Sequence, residues 1–404
     1  MNTAGGDRDD TIDLDDPVGG RRSGATRQQA EAPAGRRVPW PAIGLGGAIA
    51  AVALVVLGLV GELGAFLSSA PVIVPFVLLA LLATLGERYG WARWLTYLYL
   101  VLLNLGLLVV SLGLVFAVSG GPRLSTIDRA PPAEALALLR PALVYLAIGL
   151  LLVLLGWLPL LPPVRRRLER LLPLRAGSLL NVAGLSTMLT LAALALAALA
   201  VLNGQPPLLT LVQGVAGDAV HVRPQDQIYQ FVWLLPASLV FVGWPLRRGF
   251  GAALARLGLV RPSLRQVALG AGAGIVLVGV VLVLDPAIAR LWEALGWPRT
   301  DTLAFEKLMA GLISPLGAVV IGVTAGLGEE LAVRGVLQPR LGLLLANLAF
   351  TAAHAYQYSW DGLLVVFLIG LALGALRART NTSTSAIAHG VYDFILVLAS
   401  ALGM

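Results

Sequence analysis

Ala325-Gly326-Leu327-Gly328-Glu329-Glu330-Leu331-Ala332-Val333-Arg334 sets two adjacent carboxylates and an arginine inside an apolar run. An ionisable side chain near the centre of a bilayer costs roughly 2.5–3.5 kcal/mol on insertion scales, so such a group demands a function or a partner. On a helix turning roughly 100° per residue, Glu330 and Arg334 stand four apart on one face, while Glu329 points elsewhere. The spacing therefore predicts a buried structural ion pair between Glu330 and Arg334 and leaves Glu329 free to act on a proton. The small residues Ala325, Gly326 and Gly328 allow a neighbouring helix or a substrate backbone to come close.

The rest of the chain supplies the membrane that this stretch requires. With 58% hydrophobic and 13% charged residues in 404, ordinary soluble composition is excluded. Because a crossing helix needs about 20 mostly apolar residues, the sequence predicts an all-α polytopic transmembrane helical bundle of about eleven spans. They lie near 40–60, 68–86, 94–118, 141–162, 179–202, 227–246, 264–284, 314–337, 341–357, 361–376 and 382–402.

The net charge of +7 comes almost wholly from arginine, with Lys307 the single lysine. Arg36 and Arg37, Arg88 and Arg93, Arg165–Arg167, Arg247 and Arg248, Arg340, and Arg377 with Arg379 fall in alternate connections. Those connections are predicted to be cytoplasmic, with the N-terminus cytoplasmic and the C-terminus outside a plasma (inner) membrane. The basic surplus thus reads as topology and contact with the lipid bilayer; no nucleic acid partner is expected. With no cysteine, disulfides, thiolate ligands and a cysteine nucleophile are all excluded.

Residues 1–37 alternate Asp, Arg, Gly and Pro with too little apolar surface to fold, and predict a disordered cytoplasmic tail. Residues 38–226 are Leu/Ala/Val spans with few buried polar groups, expected to form an N-terminal transmembrane scaffold. From 227 to 404 three helices carry ionisable groups, which marks this region as the functional core. His221 falls in an outward connection apart from them.

Two further motifs accompany Glu329. One is Phe350-Thr351-Ala352-Ala353-His354, with Asn347 two turns before His354; the other is His389-Gly390-Val391-Tyr392-Asp393, an i, i+4 pair. At about 1.5 Å per residue, Glu329, His354, His389 and Asp393 fall in one slab of the membrane, toward its cytoplasmic side. A carboxylate and two imidazoles in a low-dielectric site suit water activation by either of two routes. The four side chains hold a divalent metal such as zinc that acidifies a bound water, or Glu329 is itself the general base while the histidines and Asp393 position water and stabilise an oxyanion. Phe350, Asn347 and Tyr392 are expected to support these groups from behind.

Glu-Glu-x-x-x-Arg, then Phe-x-x-x-His, then His-x-x-x-Asp on successive polar helices resembles the CPBP (Abi) family of CAAX-prenyl proteases and bacteriocin-processing intramembrane endopeptidases. The resemblance covers roughly residues 227–404, a CPBP-like intramembrane protease core. It implies that Glu329 and His354 activate the attacking water and that His389 and Asp393 take oxyanion or ligand duty. It further implies a membrane-associated peptide or protein as substrate. Asp393 stands where the prenyl-protease branch often has Asn, and a carboxylate there suits a metal ligand or second acid better than a neutral oxyanion donor.

Two other classes compete. A non-catalytic immunity, regulatory or assembly protein of the same fold would keep the polar cluster for packing. An ion-coupled transporter would use Glu329, His354 and Asp393 as a proton relay, and would require a polar path on both sides of the slab.

Overall fold

Helices supply the regular structure wherever the chain is described. A computed structural model describes residues 51–119, 132–175, 177–214 and 221–404. Its first eight α-helices are α1 (Leu63–Ser68), α2 (Val74–Gly86), α3 (Gly90–Ser119), α4 (Pro132–Gly156), α5 (Pro162–Leu171), α6 (Leu179–Val201), α7 (Pro207–Gly214) and α8 (Pro224–Phe241). The remainder are α9 (Phe250–Leu257), α10 (Leu264–Leu295), α11 (Thr302–Met309), α12 (Pro315–Glu330), α13 (Gln338–Ala353), α14 (Trp360–Arg379) and α15 (Thr382–Ala401).

Among the described residues, seven helical stretches are long and apolar enough to cross a membrane, or eight if Leu63–Val72 and Val74–Gly86, bent by 50°, form one span. The chain is an integral membrane protein, and the described residues provide seven or eight candidate spans where eleven were expected over the whole chain. The expected 227–246 span corresponds to α8, 18 residues whose first turns carry Gln225, Asp226, Gln227 and Gln230. The spans expected at 314–337 and 341–357 are counted as one apolar stretch, Pro315–Tyr356, although the chain breaks at Gly342 between them. The tail at 1–37 and the first part of the 40–60 span lie outside the described residues.

That long stretch nevertheless folds back on itself. Gly342, with φ 77° and ψ 173°, is non-helical, a conformation open to glycine because it has no Cβ. Before the break, Arg334 Nη2 donates to Gly370 O and Gln338 Nε2 to Gly374 O, both at 2.9 Å, so this segment runs parallel to α14. After it, Asn347 Nδ2 donates to Phe367 O at 2.9 Å, while Leu343 lies against Gly374 and Phe350 against Gly370, so the direction is reversed. Two side-chain-to-carbonyl ladders on one helix thus bring residues 330–334 level with residues 347–354.

The helix starts that frame the site are capped as their sequences dictate. Ser314 Oγ accepts from Gly317 N with Pro315 at the first helical position, and Asn381 Oδ1 accepts from Thr384 N at 2.9 Å. Ser263 and Gln266 form a reciprocal capping box at the start of α10, which ends on left-handed Gly296. Helix α15 runs antiparallel to α12 and packs on it through glycine. A Cβ at Gly326 would sit 2.5 Å from Gly390 Cα, and one at Gly390 would sit 2.4 Å from Gly322 O. Close backbone approach is the use the small residues before Glu329 are put to, and a neighbouring helix is what approaches.

Polar ties join the N-terminal helices to the rest. Arg247 pairs with Glu87, which also accepts from Ser178 Oγ at 2.8 Å. Arg340 Nε donates to Asn181 Oδ1 at 3.2 Å and its Nη2 to Phe241 O at 2.9 Å. Arg223 holds Glu62 and Asp226, and its hydrogen bond keeps the Asp226 carboxyl, in the first turn of α8, below the ordinary carboxylate range. Within the N-terminal helices, polar groups serve packing: Tyr145 Oη donates to Ser111 Oγ at 2.5 Å and lies 3.1 Å from Leu194 O.

Candidate active site

Glu330 is fully buried at the end of α12. Its Oε2 lies 3.4 Å from Arg334 Nε and accepts from Ser385 Oγ at 2.5 Å, and its Oε1 accepts from His389 Nδ1 at 3.1 Å. The expected Glu330–Arg334 pair is therefore formed, but Glu330 is also the direct holder of His389. A buried carboxylate with a guanidinium, a hydroxyl and an imidazole at its oxygens is satisfied, which is what permits a charge there. Arg334 lies in a π-helical segment, Leu331–Leu337, and its guanidinium carbon stands 4.7 Å from the centre of the Phe350 ring. Such i→i+5 segments recur at functional sites, and nothing in the local sequence announces this one.

Helix α13 ends at Ala353, and His354 opens a short 3-10 turn, His354–Tyr356. Helix ends leave carbonyls without intrahelical donors; His354 Nδ1 donates to one of them, Phe350 O, at 2.9 Å. This fixes the tautomer and leaves Nε2 as an acceptor. The Phe350 ring stands edge-on to His354, centroids 4.7 Å apart, so it separates the imidazole from Arg334 and orients both.

Glu329 has the opposite environment from its neighbour. Its side chain is 35% exposed, and its Oε2 lies 3.9 Å from His389 Nε2. The same Nε2 is 3.5 Å from Asp393 Oδ2. Glu329 and His354 both face a cavity of about 380 Å³ whose remaining wall is almost entirely carbon. Much of that wall comes from the N-terminal helices, including Phe76 and Leu79 of α2 and Leu180, Thr187 and Met188 of α6. His389 and Asp393 face a second cavity of about 310 Å³, with Tyr392, Tyr358, Asp285 and Arg299. His354 and Phe350 line both.

Residues 311–395 match the family model described as type II CAAX prenyl endopeptidase, Rce1-like. They form an Rce1-like domain of the CPBP family, a family of membrane proteases. No curated protein and no solved structure matches the chain. All three motifs that carry the resemblance lie inside the Rce1-like segment, and so do both members of the Glu330–Arg334 pair.

Not every expected residue meets the imidazoles. Asn347 is buried, and its amide ties α13 to α14 through Phe367 O. Tyr392 does approach, its ring centre 6.5 Å from that of His389. Sequence reasoning missed Ser385, although it lies one turn before His389 on the same face, and Tyr358, one turn beyond His354. It also missed the apolar wall from α2 and α6, for which leucines and valines in a span give no signal.

A metal requires three or more of these donors turned to one point. Among the described residues no group of His, Asp and Glu is so arranged. His389 Nδ1 is held by Glu330 and His354 Nδ1 by the Phe350 carbonyl, which orients each ring and directs its Nε2 outward from that contact. Nε2 of each imidazole thus stays available, and that of His389 lies between the Glu329 and Asp393 carboxylates.

Proposed function

We propose that this chain is an intramembrane endopeptidase in which Glu329 and His354 activate the water that cleaves a membrane-associated peptide or protein. The observation that carries the reading is that Glu329 and His354 face one cavity while His389 Nε2 stands 3.9 Å from Glu329. Glu329 takes a proton from water held against the free Nε2 of His354. The hydroxide adds to the scissile carbonyl, and its oxygen becomes an oxyanion. His389, with Nδ1–H held by Glu330, offers a proton on Nε2 to that oxyanion, and Asp393 keeps the ring in place. Glu329 then returns its proton to the departing amine as the C–N bond breaks. General acid–base help of this kind contributes about 10²–10⁴-fold, and a positioned oxyanion donor adds to it.

The carbon-lined cavity beside Glu329 suits an apolar portion of the substrate, drawn from the bilayer. The distribution of arginine supports a cytoplasmic N-terminus and an outward C-terminus. The test is cleavage of membrane peptides by purified protein: Glu329→Gln and His354→Ala should each abolish it while expression and melting stay as in the parent. Undiminished cleavage by either variant would sink the assignment.

A further inference from the structure

Hydrolysis inside a membrane needs water as a second substrate, and the two cavities are unequal in their capacity to bring it. The larger one is walled by Phe76, Leu79, Leu180, Met188 and similar groups, with Glu329 and His354 among its lining. Apolar cavities of this kind stay dry, because a water needs two to four polar partners, and an apolar substrate in this one would exclude water further. The smaller cavity carries Asp285, Arg299, Thr300, Tyr358, Tyr392 and Asp393.

The cavities share only Phe350 and His354 and are otherwise lined by different helices. The carbon-lined one reaches back along α13 to Arg340 and Phe241, which are themselves hydrogen-bonded. The polar one runs along α14 from Asp361 to Leu373 and meets the connection after α10, where Thr300 N and Oγ1 donate to Asp361 Oδ1 at 3.0 and 2.7 Å. At its rim Asp285 and Arg299 are exposed. At its floor His389 and Asp393 stand, and His389 Nε2 is 3.9 Å from the Glu329 carboxylate that faces the other cavity. His354 and Phe350 form the partition.

From this we infer that the polar cavity is the entry route of the hydrolytic water, reaching Glu329 past Asp393 and His389 and not through the cavity that receives the substrate. This rests on the proposed protease reading for its purpose, but not for its test. Glu329 would meet water and substrate from different directions, so an occupied apolar cavity need not reopen to admit water. The phenolic hydroxyls of Tyr358 and Tyr392 and the carboxylates of Asp285 and Asp393 supply the polar partners along the way.

The chain has no cysteine, so single cysteines report access without background. Asp285→Cys and Val365→Cys place a thiol in the polar cavity; Met188→Cys and Leu191→Cys place one in the carbon-lined cavity. A charged methanethiosulfonate reagent should label the first pair, whereas the second pair should resist it and react with an apolar maleimide. Labelling of Met188→Cys and Leu191→Cys by the charged reagent as fast as Val365→Cys, or inertness of Val365→Cys, overturns the route. In the activity arm, a bulky adduct on Val365→Cys should lower kcat by about tenfold or more with KM little changed, while one on Met188→Cys should raise KM. The labelling pattern survives if Glu329→Gln proves active, and cleavage survives if the labelling is reversed, so the two readings fail separately.

Discussion

The cluster between α12 and α15 has a sealed half and an open half. In the sealed half Glu330, Arg334, Ser385 and His389 are buried, and each touches another by a hydrogen bond or ion pair. In the open half Glu329 faces a cavity, is 35% exposed, and approaches its nearest charged neighbour only to 3.9 Å. Adjacent residues of one helix thus have opposite surroundings. The difference teaches that partner number separates a carboxylate that holds the site together from one left free to accept a proton. Glu330 has three partners and cannot move a proton without breaking them; Glu329 can.

Glu329→Gln keeps the shape of the open half and removes its base. Activity should fall by about 10²–10⁴-fold, while thermal melting in detergent moves little. A large fall in stability would mean that Glu329 belongs to the sealed half after all. Arg334→Met attacks the sealed half by leaving Glu330 buried without its cation. It should cost about 3–5 kcal/mol in detergent unfolding, and activity with it. Adding Glu330→Gln to Arg334→Met should recover part of that stability but not the activity, because His389 then loses its anionic acceptor.

Ser385→Ala removes one hydroxyl from the Glu330 carboxylate. A loss of about 1.5–3 kcal/mol is expected in the same unfolding assay, with cleavage reduced less than by Glu329→Gln. The smallest effect should come from outside the cluster. Tyr145→Phe in the N-terminal helices deletes a hydroxyl bonded only to Ser111 and a carbonyl, for about 0.5–1.5 kcal/mol, and should leave kcat unchanged when measured below the melting temperature. An equal loss of activity in this variant would show that the assay reads unfolding and not chemistry.

The motifs were legible because each is local. Glu330 and Arg334 four apart, or His389 and Asp393 four apart, meet on any helix, and both pairs do. The convergence of Glu329 with His354 was expected from depth alone, and the two residues line one cavity. Span counting succeeded where apolar runs are long and unbroken, as in α3, α6 and α10. It is not matched where polarity intervenes, since α8 is short and polar at its start, whereas the stretch from Pro315 to Tyr356 reverses at Gly342 and so divides where the two expected spans divide. The helices before residue 202 looked like filler, since a leucine facing lipid and a leucine facing a cavity are the same letter.

By itself, then, the sequence determined that the chain is an all-helical membrane protein and that Glu330 pairs with Arg334, and it set the expectation that Glu329, His354 and His389 share one layer. Composition and helical period suffice for these, because they act within a turn or along a single span. Only the tertiary structure decided that Glu330 grips His389, that α2 and α6 wall the cavity in front of Glu329, and that His354 divides an apolar space from a polar one. Each of these depends on which faces of distant helices meet. Here that is settled by glycine contacts between α12 and α15 and by the reversal at Gly342, and no single span encodes it.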